Sequence, residues 1–218
     1  MRKFILTLLR LLIGLFLYAV GIVFTINANL GLSPWDIFHQ GISRLTGITM
    51  GQASIIIGVL IIILDWVMGE KIGIGTIGNM LLIGIFMDIL MLNHVIPVFN
   101  NLIIRVLMLI LGMFIIGVAC YFYIGAGLGS GPRDGLMVAL AKKTNKPVKL
   151  IRSFIEFIPL VAGYFLGGTL GIGTLAMMLF GGYFIQLSFK LFNFDIREVK
   201  HKFINDYIIH VKKVLLQQ

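Results

Sequence analysis

Charge is what this sequence has least of. Lys, Arg, Asp and Glu together make up 12% of the 218 residues, about half the share of an ordinary soluble domain. Hydrophobic residues make up 59%, and the mean hydropathy is +1.02. At roughly 20 apolar residues per crossing, the chain has material for six or seven membrane spans, and little is left for a soluble catalytic or nucleic-acid-binding domain. The single cysteine, Cys120, excludes an intramolecular disulfide, so the fold is not a stapled secreted one. Cofactor chemistry has no basis in the sequence: Gly125-Ala-Gly-Leu-Gly-Ser-Gly131 contains a Gly-x-Gly but follows an apolar helix, not a strand, which argues against a dinucleotide loop. No His, Cys or carboxylate group has metal-ligand spacing. An intramembrane enzyme is disfavoured for a similar reason, since no nucleophile or acid–base pair converges by spacing.

What is present is a series of long apolar runs. They cover residues 4–28, 51–68, 76–96, 102–124, 148–166 and 174–192, and read as six spans of an all-α polytopic membrane protein. The first run is too long for a signal-peptide core and lacks a small-x-small cleavage site. Two intervening stretches, 34–46 and 132–144, are too short to cross: about 12 residues at 1.5 Å each reach some 18 Å against a core of about 30 Å. They read as half-helices or interfacial helices. After Phe192 the composition changes, with Lys200, Lys202, Lys212 and Lys213 interleaved among Ile196, Val199, Phe203, Ile208, Val211 and Leu215, the spacing of an amphipathic surface helix.

The net charge of +9 is a matter of orientation. With the amino terminus in the cytoplasm, 16 of the 18 Lys and Arg fall on the inner side and only Arg44 and Arg105 fall outside, a bias that places both termini in the cytoplasm.

The sequence also repeats itself. A shift of 98 residues carries Ala28, Leu30, Gly31, Pro34 and Asp36 onto Ala126, Leu128, Gly129, Pro132 and Asp134, and without a gap carries Gly73-Ile-Gly-Thr76 onto Gly171-Ile-Gly-Thr174. Gly14 with Gly112 and Gly84 with Gly182 follow the same register. Residues 1–98 and 99–193 are thereby two repeats of three spans and one half-helix, and 194–218 is a cytoplasmic tail. Three being odd, the second copy enters the bilayer from the opposite side. Inverted repeats with short Gly/Pro-interrupted segments in matching positions point to secondary transporters with midplane sites; channels share the pattern, and so does a duplication that only stabilises a scaffold.

Asn29-Leu-Gly-Leu-Ser-Pro-Trp-Asp-Ile-Phe-His-Gln-Gly41, with Thr46-Gly, Gly73-Ile-Gly-Thr, Asn79 and Asp88, resembles the YczE/YyaS/YitT group of bacterial integral membrane proteins, closest to its YczE branch. The resemblance implies a multi-pass protein of the bacterial cytoplasmic membrane, of a kind sometimes suspected of transport or export. It supplies no catalytic residues.

The polar residues of the short segments have two readings each. Ser33, Pro34 and Asp36 form a Ser-x-x-Asp capping box with proline at the first helical position. Gly131, Pro132 and Asp134 repeat it, with Arg133 inserted where a cation opposes the helix dipole. Should the half-helices enter from opposite faces, their N–H groups and positive ends converge and favour an anion or a carboxylate, a preference that Arg133 strengthens. Asp36 and Asp134 suit equally the roles of counter-charge and of proton or sodium site. Thr76 and Thr174 read as helix caps or as hydroxyls on the pathway. Asp65 reads as an interfacial residue beside Trp66. Asp88 and Glu156 are intramembrane carboxylates, functional by default; Glu156 beside Pro159 is the first candidate for proton coupling, or pairs with Arg152. His39 could line a pathway or be a satisfied polar residue.

The expected function is therefore transport of a small molecule or ion by alternating access, with Ser33, Pro34, Asp36, Gly131, Arg133 and Asp134 at the substrate and Thr76, Thr174, Asp88, Glu156 and His39 in gating or coupling. The alternatives are a non-transporting membrane partner holding a cytoplasmic protein by the basic 142–152 loop and tail, and a channel. Expected partners are the lipid bilayer, the small substrate and a second copy in a homodimer, with no nucleic acid and no cofactor.

Overall fold

A computed structural model describes residues 2–199 and 201–203. Among them are eight α-helices, one 3-10 turn at Ile196–Glu198 and no strand: α1 (Arg2–Asn27), α2 (Pro34–Thr46), α3 (Met50–Val67), α4 (Ile74–Leu92), α5 (Leu102–Gly125), α6 (Pro132–Thr144), α7 (Val148–Phe165) and α8 (Ile172–Leu191). The short segments have the bounds expected from the sequence, because each is opened by a proline at its first position and closed by a left-handed residue, Gly47 and Asn145 respectively. At the start of α3 the Thr49 hydroxyl and the Gln52 side chain cap each other's backbone N–H groups. Of the tail, residues 194–199 and 201–203 contain only the 3-10 turn, and the rest of the expected amphipathic helix, residue 200 and residues 204–218, lies outside the described residues.

Five helices, α1, α3, α4, α5 and α8, are long and apolar enough to cross a membrane. α7 matches them in length at 18 residues but carries Lys149, Arg152 and Glu156, and so falls outside that description.

The bundle is organised around α1 and α5, which pack closely along their lengths. A Cβ placed on Gly21 would lie 2.9 Å from the Gly112 carbonyl oxygen, and one placed on Gly112 would lie 2.9 Å from that of Gly21; the two backbones touch where the small residues stand, as close helix packing in lipid requires. α4 packs against α1, and α8 against α5. α2 and α6 each wedge between α3 and α7. The matched pairs then diverge: α3 lies against α4, whereas α7 and α8 scarcely touch.

The Gly-Ile-Gly-Thr turns join the two halves. Gly75 N–H donates to the Leu128 carbonyl at 2.7 Å, and Gly173 N–H donates to the Leu30 carbonyl at 2.7 Å. Each turn therefore completes the loop that opens the short helix of the other half. Gly31 and Gly129 must be glycine there: their φ values are +113° and +119°, and an added Cβ would lie 2.7 Å from the hydroxyl of Thr174 or Thr76.

Candidate functional site

The short helices meet by their amino ends. Near the carboxyl end of α2, the Arg44 guanidinium donates to the Gly167 carbonyl and, at 3.2 Å, to Thr169 Oγ1, just past the end of α7. Near the carboxyl end of α6, Lys142 Nζ lies 2.7 Å from Glu70 Oε1, just past the end of α3. α3 starts beside the end of α2 and finishes beside the end of α6, so the two short helices point their carboxyl ends to opposite ends of a helix about 27 Å long. Their amino ends converge between: the Arg133 guanidinium stacks 4.4 Å from the centroid of the Trp35 ring.

Two adjoining cavities, of about 620 and 560 Å³, open around this junction. Tyr18, Ile22, Asp36, Arg133, Arg152, Glu156, Gly182 and Ile185 line both. The larger adds Ser33, Pro34, Trp35 and Lys149, and lies between α7 and α8. The smaller adds His39, Asn79, Tyr123, Gly131, Asp134 and His201. Both are in the range of small-molecule sites.

The two aspartates in matching positions differ. Asp36 is buried and accepts a hydrogen bond from the Ser33 hydroxyl, while its own N–H reaches Ser33 Oγ at 3.4 Å. The expected capping box is thus realised through the two side chains, with the carboxylate on the serine hydroxyl instead of the serine backbone. Asp134 has no hydroxyl to hold, since Gly131 stands at that position, and it is exposed to the cavity. Around Gly131 stand the Tyr123 hydroxyl, the Asp134 carboxylate and the Asn79 amide, 3.0, 3.5 and 3.8 Å from where a Cβ would be. His39 is buried with Nδ1 3.7 Å from Asp36 Oδ1, and neither of its ring nitrogens closes a hydrogen bond. Trp35 Nε1 is also buried and lies toward Glu156 without closing one. Three cations, Arg133, Lys149 and Arg152, and two carboxylates, Asp36 and Glu156, face the larger cavity.

All six expected substrate residues line one cavity or both, as do Glu156 and His39. Thr76, Thr174 and Asp88 do not. Thr76 Oγ1 accepts from Gly73 N–H at 3.2 Å and donates to the Ser130 carbonyl at 2.7 Å, and Thr174 Oγ1 accepts from Gly171 N–H at 3.2 Å. Asp88 fastens the start of α3, accepting from Thr49 Oγ1 at 2.5 Å and from Gly51 N–H at 2.9 Å. Among the described residues no ion pair joins Glu156 to Arg152; the two side chains face the cavities instead. Asp65 does not reach out to solvent beside Trp66 but is buried against α6, where the position of a Cβ on Gly135 lies 2.6 Å from its carboxylate.

Sequence reasoning missed Trp35, Tyr18, Tyr123 and Lys149. The tyrosines sit within apolar runs that read as spans, and a run by itself does not tell which side faces inward. Lys149, by contrast, had a readable signal, because the repeat register places it at the position of Gly51.

Among the described residues no group of three or more His, Cys, Asp and Glu side chains could hold a metal ion. The model of a family of unknown function, DUF6198, matches residues 5–190. The uncharacterized membrane protein YczE of Bacillus subtilis is 37% identical over 177 residues, covering 80% of this chain and 81% of its own. An uncharacterized protein of Haemophilus influenzae is 29% identical over 168 residues, 77% of this chain and 76% of its own, and the uncharacterized protein YyaS of Bacillus subtilis is 27% identical over 178, 80% and 88%. No solved structure matches.

Proposed function

We propose, from the premise that this membrane protein belongs to the DUF6198 family, that it is a secondary transporter of a small anion, working by alternating access about the junction of α2 and α6. The observation that carries the reading is the pair of short helices converging by their amino ends, with Arg133 between them, on cavities that both helices line. Such an arrangement gathers unpaired N–H groups and positive dipole ends at one place.

In this reading α7 is the sixth span. Its three charged residues line the larger cavity, and a cavity is where intramembrane charge is tolerated. The two halves are inverted repeats in the bacterial cytoplasmic membrane with both termini inside. The reciprocal Gly-Ile-Gly-Thr contacts, each 2.7 Å and each between halves, support a pseudo-two-fold relation, and alternating access is then a rocking of one half against the other. Asp36, tied to Ser33, positions the first tip; Asp134 and Glu156, facing the cavity, are the carboxylates available to carry a coupling proton.

Reconstitution in proteoliposomes tests this, with inorganic phosphate and short mono- and dicarboxylates as probes. Flux of at least one probe is expected from the unaltered protein, together with its loss in Asp134→Asn and Arg133→Gln variants that remain folded and monodisperse. Absence of flux for every probe, or unaltered flux in both variants, overturns the reading.

A further inference from the structure

The larger cavity is not closed on its outer side. Its back wall is α1 and α5, and its flanks are α7 and α8, which scarcely touch. The opening between those flanks faces the surface that lipid covers, as the exposed Phe154, Phe157 and Met178 beside it show. Gly181 and Gly182 leave the gap unfilled: among the described residues, and apart from the adjoining residues and backbone of α8 itself, no atom lies within 4 Å of a Cβ placed on either.

The chemistry of this cavity is divided. Lys149 and Arg152 on the first turns of α7, with Arg133 behind them, outnumber the Asp36 and Glu156 carboxylates that face the same cavity and make this end cationic, and Trp35 Nε1, directed toward Glu156, is a buried donor that closes no hydrogen bond. Phe154, Phe157, Met177 and Met178 make the remainder apolar. A freely diffusing anion has no use for an apolar side slot, and a hydrocarbon has no use for three cations. An amphiphile satisfies both: phosphate or carboxylate oxygens accept from guanidinium and indole N–H groups, and an acyl chain lies between α7 and α8 without leaving the bilayer.

Resting on the transport reading of this same site, we infer that the anions it admits include an anionic lipid, entering sideways between α7 and α8 with its headgroup on Arg133, Arg152 and Lys149 and its chain along Phe154, Phe157 and Met178. The glycines at 181 and 182 hold the entrance open.

The full chain in phosphatidylcholine vesicles tests it, with fluorescent phosphatidylglycerol and phosphatidylcholine analogues followed by dithionite quenching and inorganic phosphate flux followed in parallel. Faster movement of the phosphatidylglycerol analogue than of the phosphatidylcholine analogue is expected. Arg152→Gln is expected to weaken binding of phosphatidylglycerol about tenfold, the worth of one charge-assisted hydrogen bond. Gly182→Leu fills the entrance and is expected to stop the lipid analogue while the melting temperature holds. Phosphate flux with no lipid movement, or lipid movement indifferent to Gly182→Leu, overturns this inference and leaves the transport reading standing; absence of both fluxes overturns the two together. Conversion of a dimer to a monomer by Gly182→Leu would assign the gap to a second copy and overturn it as well.

Discussion

The seam between α3 and α4 and the seam between α7 and α8 occupy the same place in the two halves of the sequence, yet one is shut and the other open. In the first, a Cβ on Gly84 would lie 2.7 Å from the Gly51 carbonyl, and Asp88 on α4 accepts from the N–H of Gly51 and the hydroxyl of Thr49. Ninety-eight residues on, the corresponding residues are Gly182, Lys149, Gln186 and Pro147. Lysine brings a long charged side chain where backbones would touch, proline cannot offer the threonine hydroxyl, and glutamine is no carboxylate. The second seam has kept the glycine of α8 and lost everything that glycine would press against. Three substitutions thus separate a structural joint from the wall of a cavity.

The comparison can be broken most forcefully at the shut seam. Gly84→Leu drives a side chain into the Gly51 carbonyl and Ile55, and is expected to cost more than about 3 kcal/mol, read as loss of monodisperse protein on size exclusion in detergent. Asp88→Asn leaves the start of α3 short of one acceptor oxygen and is expected to cost about 1 to 3 kcal/mol, measured as a lowered Tm; Gln186→Asn at the matching place is expected to leave Tm unchanged. Installing the shut seam's residues in the open one, Lys149→Gly with Gln186→Asp, is expected to raise Tm by the equivalent of about 1 kcal/mol while flux falls, because a joint that packs no longer admits a substrate. Gly182→Leu is expected to change stability by less than about 0.5 kcal/mol, in contrast with Gly84→Leu. Equal losses from the two leucines would show the seams to be alike.

Helix placement was legible in the sequence because lipid imposes it: apolar length and proline at the first helical position suffice to bound α2 and α6, and the repeat register predicted that they would be partners. Arg133 was legible as an anomaly, a cation at a helix start. What could not be read was which groups face one another across helices. Thr76 serves a turn and also the Ser130 carbonyl 54 positions away, and nothing in its local sequence names that partner. Asp65 read as interfacial because Trp66 follows it, and Trp66 is indeed 70% exposed; the adjacent residue on a helix points elsewhere, and there it meets the bare backbone of Gly135. The open seam could have been found by asking where the repeat fails as well as where it holds, since Gly51 and Lys149 are aligned without a gap.

The crossed turns also set a timetable for biosynthesis. Leu30 emerges early, and the Gly173 N–H that its carbonyl accepts is made only after roughly 7 to 30 s of further elongation. Until then the Leu30 carbonyl in the loop ahead of α2 lacks its partner, and such a group is costly wherever water does not reach it. The newly inserted first half must therefore keep that loop near water, or under the care of the insertion machinery, until α8 arrives. A chain halted before residue 171 would leave a quality-control protease an unmade joint to recognise.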